Sequence, residues 1–240
     1  MKRVVIFNKS IPEIGLSLRN TTHGEESKMV IDFIDYYCDK FLRYNKSNNL
    51  AVFIEPRIAS GFPDLVLASY LPSILDNWSI SRNKINVGDL KILSCLLQTG
   101  GAKGEQIFNL LKIPEREILF SLERLLDAKL VVYENQLWKS KSLRKVFSIK
   151  KLVSVEAKIG DISHVIEQSF VNTWFASHSY ALSNAIKPHE GTVKIFSKRG
   201  IGLYCKGRSF RKVVEAQPLL LPSSYQSLLF NEWIGNSLTM

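Results

Sequence analysis

Two hydrophobic periods run along this chain, and the switches between them mark its elements. Residues 3–7, "RVVIF", are a short apolar run and read as a strand. "EESKMVIDFIDYYCDKFLRY", residues 25–44, follows a helical period. Met29, Val30, Phe33, Ile34 and Tyr37 form one apolar stripe there, and Glu25 and Glu26 stand at the start, where the helix dipole favours acids. "NKSNN" is turn-like. "LAVFIEPRI" and "PDLVLASY" then predict two strands joined by a Ser60-Gly61 turn.

Helical spacing returns near residue 85. "VGDLKILSCLLQTG" predicts a helix that ends in Gly-Gly, and "GEQIFNLLKI" a second, short one. "PEREILFSLERLLDAKL" predicts a third, with Pro114 suited to its first turn. "VVYENQLWKSK" predicts a hairpin around Glu134-Asn135. Three helices followed by a hairpin resemble a winged helix-turn-helix module over roughly residues 86–140, and the "L-x-x-L-x-x-A-x-L-V" pattern sits where that family carries it. Beyond it, "KLVSVEAKI" predicts a strand. "DISHVIEQSFVNTWFASHSYALSNA" predicts a helix running into a strand around "SHSYALS". "GTVKIFSKRGIGLYC" predicts one or two further strands with a turn at Lys198-Arg199-Gly200, and "SSYQSLLFNEWIGNSL" a helix.

Length and charge narrow the class. The 240 residues allow one or two domains. The net charge of +10 points to a polyanion, nucleic acid before an anionic membrane surface, unless the chain is simply a basic protein. Cys38, Cys95 and Cys205 are odd in number and far apart, so neither a disulfide framework nor a zinc cluster follows. No apolar run reaches the length of a membrane span or a signal peptide, so the expected location is a reducing cytoplasm. His23, His164, His178 and His189 lack metal-ligand spacing. "RGIG" reads as a turn, and Trp174, Phe175 and Tyr180 as core residues.

The chemistry lies in two short stretches. In "EPRIASGFPDLVLAS", Asp64 heads an apolar strand whose Leu65 and Leu67 fill one face. In "VSVEAKI", alternation puts Ser154, Glu156 and Lys158 on one face and Val155, Ala157 and Ile159 on the other. If these strands are neighbours, Asp64, Glu156 and Lys158 converge. Two carboxylates suit Mg²⁺ or Mn²⁺, hard cations that prefer oxygen. Such a metal activates water and offsets charge on a phosphate, while the lysine ammonium holds the attacking water or hydroxide.

Pro63-Asp64 and Glu156-Ala157-Lys158 resemble the signature of the PD-(D/E)xK nuclease superfamily, the restriction-endonuclease-like fold. The resemblance implies Asp64 and Glu156 as metal ligands, helped by the carbonyl of Ala157, with Lys158 as catalytic lysine. It also implies a role for Gln168, ten residues past Lys158 in the following helix. Members often take another acid from the helix before the first of these strands. Glu26 fits, sharing the side of Met29 and Val30, with Glu25 as the neighbouring alternative. Glu55 is either a further ligand, a DNA contact or a surface carboxylate. In the family the two strands usually lie close in sequence; here the winged-helix stretch separates them.

The expected architecture is α/β: a restriction-endonuclease-like mixed sheet flanked by helices, built from residues 1–84 and 145–240, with a winged-helix domain inserted at 85–144. The expected function is Mg²⁺-dependent (or Mn²⁺-dependent) hydrolysis of DNA phosphodiester bonds, without membrane contact, by a homodimer as in many members. The third helix is mixed in charge. Lys139, Lys141, Arg144 and Lys145, with Lys198 and Arg199 near the C-terminus, are therefore the expected DNA contacts. Alternatives are a DNA-binding or scaffolding protein that keeps the fold without turnover, a winged-helix regulator, or a docking role for the inserted module.

Overall fold

In chain order the elements are β1 (Val4–Phe7), α1 (Glu25–Tyr44), β2 (Asn49–Ile54), β3 (Leu65–Tyr70), α2 (Val87–Thr99), α3 (Gly104–Leu111) and α4 (Glu115–Asp127). There follow β4 (Val131–Glu134), β5 (Leu137–Ser140), α5 (Leu143–Val146), β6 (Ile149–Lys158) and α6 (Ile162–Val171). β7 (His178–Ser183), α7 (Glu190–Lys198), β8 (Gly202–Lys206), β9 (Phe210–Val214) and α8 (Tyr225–Thr239) complete the set. The structure, a computed structural model, describes residues 3–19, 24–160 and 162–240, with the backbone alone of Ile162 and Ser163. His23 and Asp161 lie outside the described residues.

The chain is mixed α/β and divides into two compact units. The first takes the described residues up to Pro72 together with Ile149–Ser223. The second takes Ser73–Ser148 together with Ser224–Met240. The divisions therefore fall at 72/73 and 148/149, not at 84/85 and 144/145, and the tail belongs to the second unit, not to the sheet.

The first unit is a seven-stranded sheet in the order β1-β2-β3-β6-β7-β8-β9. β1 and β2 run parallel, β3 is antiparallel to both β2 and β6, β6, β7 and β8 run parallel, and β9 returns antiparallel at the edge. The pleat sends alternate side chains to opposite faces. One face packs on the apolar stripe of α1: Met29, Val30, Phe33 and Ile34 meet Leu65, Leu67, Val153, Val155 and Leu182. The other face carries Ala181, Leu203 and Cys205 against Val165 and Ile166 of α6 and Phe196 of α7. Both faces are covered, so the central strands are apolar almost throughout.

Residues 190–198 correct the sequence reading, which made them strand. His189 caps them as a helix, its ring Nδ1 accepting from the Gly191 N–H at 3.1 Å. Phe196 is then fully buried against the sheet. β9 had not been expected at all; it is an edge strand with Arg211 and Lys212 exposed, and its short apolar alternation is masked by those charges.

The second unit opens with α2, whose start is fixed by a capping box between Asn86 and Asp89. Arg124 of α4 reaches back to Asp89 with two bonds, 2.9 and 2.7 Å long. β4 and β5 form the expected hairpin, with left-handed backbone at Asn135 and Gln136, the conformation a tight two-residue turn demands. α8 packs on α2 and buries Leu228, Phe230, Trp233 and Ile234. Arg82 is buried between Glu232 and the ring of Trp78, which lies 3.7 Å from its guanidinium. Among the described residues no helix is long and apolar enough to cross a membrane.

Candidate functional site

The site belongs to the first unit, where β3 begins and β6 ends. These strands are adjacent and antiparallel, with Leu65 opposite Val155. Asp64 directly precedes β3, so it comes to rest beside the last residues of β6. Its carboxylate accepts the backbone N–H of Ala157 at 2.7 Å, although 93 positions separate them. Val155 and Ala157 point into the core under α1, and Glu156 and Lys158 take the other parity.

Glu26 in the first turn of α1 completes the group. It lies within 3.2 Å of the Lys158 ammonium and accepts the Ile159 N–H at 3.1 Å. Glu25 is exposed and takes no part. One pocket of about 200 Å³ is lined by Glu26, Glu55, Asp64, Glu156, Ala157, Lys158 and Gln168. Of the acids singled out from the sequence all but Glu25 face this one cavity, with the lysine and the glutamine. Gln168 hangs over it from α6, exposed.

Burial sets the electrostatics. The Glu156 carboxyl is only 5% exposed, and burial, with the charge of Asp64 adding to it, pushes its pKa up to about 8. Burial also raises Asp64; the Ala157 N–H and the Lys158 charge oppose the rise, and Glu26 adds to it. Glu55 is raised by burial too, against the pull of Arg19, 3.4 Å away. Glu55 holds a left-handed backbone, φ 48°, and its N–H donates to the Asp64 carbonyl at 3.1 Å, so a bend in the chain turns it toward the pocket.

Two residues escaped the sequence reading. Asn172 donates its side-chain N–H to Glu156 and fixes that carboxylate from behind. It lies four positions beyond Gln168, hence on the same side of α6 and its continuation, and that spacing is the signal that could have found it. Arg19 enters the pocket from a stretch without regular periodicity, and nothing in its neighbourhood marks it.

The donor set suits a hard cation. Asp64, just ahead of β3, and Glu156 of β6 turn carboxylate oxygens into one pocket, and burial with the neighbouring Asp64 charge raises Glu156. Among the described residues no group of three or more His, Cys, Asp or Glu is placed to hold a metal ion. Two carboxylates alone match a Mg²⁺ that keeps water or phosphate in its other positions.

The basic residues fall in two places. Lys141 and Lys145 line a cavity of about 560 Å³ in the second unit with Lys129 and Trp78, Lys139 lies on β5, and Arg144 is exposed on α5. Lys198 and Arg199 end α7 in the first unit, where Arg199 is paired with Glu167. Comparison of the chain with known protein families, with curated proteins and with solved structures yields no match.

Proposed function

We propose that this chain is a metal-dependent DNA endonuclease whose first unit is a restriction-endonuclease-like core and whose second unit is a winged-helix insertion. The observation that carries the reading is the pairing of β3 with β6, which sets Asp64 against Glu156-Ala157-Lys158 in one pocket with Glu26 and Gln168. The order of α2, α3, α4 and the β4–β5 hairpin supports the insertion.

Asp64, Glu156 and the Ala157 carbonyl would hold Mg²⁺ or Mn²⁺. Once bound, the ion lowers the pKa of water and offsets charge developing on a phosphate. Lys158 carries an ammonium at the mouth of the pocket, held by Glu26. From there it orients an attacking water and pairs with a phosphate oxygen. Asn172 keeps Glu156 in place, and Gln168 offers an amide over the cavity. Lys139, Lys141, Arg144 and Lys145 supply phosphate contacts, as does Lys198; Arg199 joins them only by releasing Glu167.

The test is cleavage of supercoiled and linear DNA with Mg²⁺, Mn²⁺ or chelator, wild type beside Lys158→Ala, with binding followed in parallel. The expected result is metal-dependent cutting that falls by about 10²–10⁴-fold in the variant, the usual contribution of a positioned acid–base group. Cutting that survives in chelator, or that Lys158→Ala leaves intact, would overturn the assignment. Binding without cutting on every DNA form would favour a DNA-binding protein without turnover.

A further inference from the structure

A second cavity in the first unit, distinct from the acidic pocket, has the opposite character. Its volume of about 390 Å³ lies in the range of small-molecule sites, roughly 300–1,000 Å³. It is lined by Tyr37, Lys40, Phe41 and Tyr44 from the last half of α1, Asn45 and Ser69, Lys151 near the start of β6, Tyr204 of β8 and Lys212 of β9. Lys151 lies at the beginning of the strand whose far end carries Lys158. The cavity therefore opens at the opposite end of β6 from the acidic pocket.

Four aromatic rings and three lysines line it, and no carboxylate does. Lys212 is paired with Glu215, and Lys40 leans on the ring and hydroxyl of Tyr36. The Lys151 side chain makes no hydrogen bond or ion pair among the described residues and is half-buried. Burial and then the charge of Lys212 lower its pKa against the opposing charge of Glu215, and burial with the Lys151 charge pushes His178, its neighbour across β6 and β7, down to about 4. An unpaired, partly buried cation is costly unless an anion meets it. Tyr44 stands 74% exposed at the rim while Tyr204 is buried in the wall. A planar ring can stack on such rims, as bases do on aromatic side chains.

We infer that this cavity binds a nucleotide, with its phosphate on Lys151, joined by Lys212 as it releases Glu215, and its base against Tyr44 and the neighbouring rings. The inference does not depend on the acidic pocket. A free mononucleotide and the backbone of a nucleic-acid strand present the same phosphate and base, so the experiment must separate them.

The experiment is titration of the full chain, by calorimetry, with inorganic phosphate, AMP, dAMP and a short single-stranded oligonucleotide, all in chelator. Asp64→Asn serves as background, so that loss of the acidic pocket cannot imitate the result. Lys151→Met and Tyr44→Ala are the test variants; Tyr44 is too exposed for its loss to endanger folding. Binding of AMP or dAMP that weakens at least about tenfold in Lys151→Met, the effect of one charge-assisted contact, supports a free-nucleotide site. Binding of the oligonucleotide alone, with the same dependence, supports a strand-binding site. Weakening by Tyr44→Ala of the nucleotide but not of inorganic phosphate assigns the base to the aromatic wall. Absence of binding by all four probes, or binding indifferent to both variants, overturns the inference.

Discussion

Glu156→Gln should make the protein more stable at pH 8 in chelator. The side chain is nearly isosteric. Its carbonyl oxygen can still accept from Asn172, and its N–H₂ can donate toward Asp64 where the carboxyl proton would sit. The sign follows from the raised pKa of Glu156. Between its ordinary 4.5 and about 8, the folded protein holds a proton that the unfolded chain has released. Stability is thus fully present below the ordinary value and lost as pH rises toward 8. Asp64 is shifted in the same direction and adds to the loss. At about 1.4 kcal/mol per tenfold change, a rise from 4.5 to about 8 sets a ceiling of ~5 kcal/mol. Relaxation and water entry reduce the real cost of a buried ion, so we expect a gain of about 1–3 kcal/mol in the variant at pH 8 and almost none at pH 4.5. Native-state hydrogen exchange on peptides covering β6 reads this unit separately from the second. Added Mg²⁺ should stabilise the wild type at pH 8 and the variant much less, because only the wild type offers both carboxylates. A wild type equally stable at pH 5 and pH 8, or a variant weaker than wild type at pH 8, would refute the reasoning.

Three further outcomes concern the scaffold. Glu232→Ala leaves Arg82 buried and uncompensated, so urea denaturation of the second unit should show a loss of about 3–5 kcal/mol, and Arg82→Met added to it should restore part of that. Gly202→Ala would bring a methyl to 2.1 Å from the Tyr180 ring, so thermal unfolding should reveal destabilisation at the upper end of overpacking, about 3 kcal/mol or more. Phe33→Ala empties a site where Tyr204 and Phe210 meet the ring edge-on, and should cost the first unit about 3–5 kcal/mol by chemical denaturation.

The sequence was most legible where one periodicity acted alone. α1 has a single apolar stripe and runs over the very residues expected, 25–44. The parity of residues 153–159 sorted core from pocket correctly, because a period of two leaves only two choices. Residues 190–198 misled because Thr192, Val193 and Ile195 favour strands by propensity. The burial of Phe196 and the His189 cap outweigh that weak preference. Arg19 and Asn172 were illegible or nearly so: one lies in a stretch without period, and the other acts through a partner 16 positions away. The place of the tail could not be read either. An apolar helix shows that it must be buried, but not against which core.

The place of α8 at the end of the chain sets an order of synthesis. α8 supplies buried Phe230, Trp233 and Ile234 to a unit that otherwise ends at Ser148. Every strand of the seven-stranded sheet is translated before α8 exists. On a growing chain, made at about 5–20 residues per second, the first unit can close while the earlier-made second unit still waits for its last wall. Until then α2 keeps an apolar flank open to water and to chaperones. Premature termination after Ser223 would therefore spare the acidic pocket's own scaffold and leave the other unit unfinished.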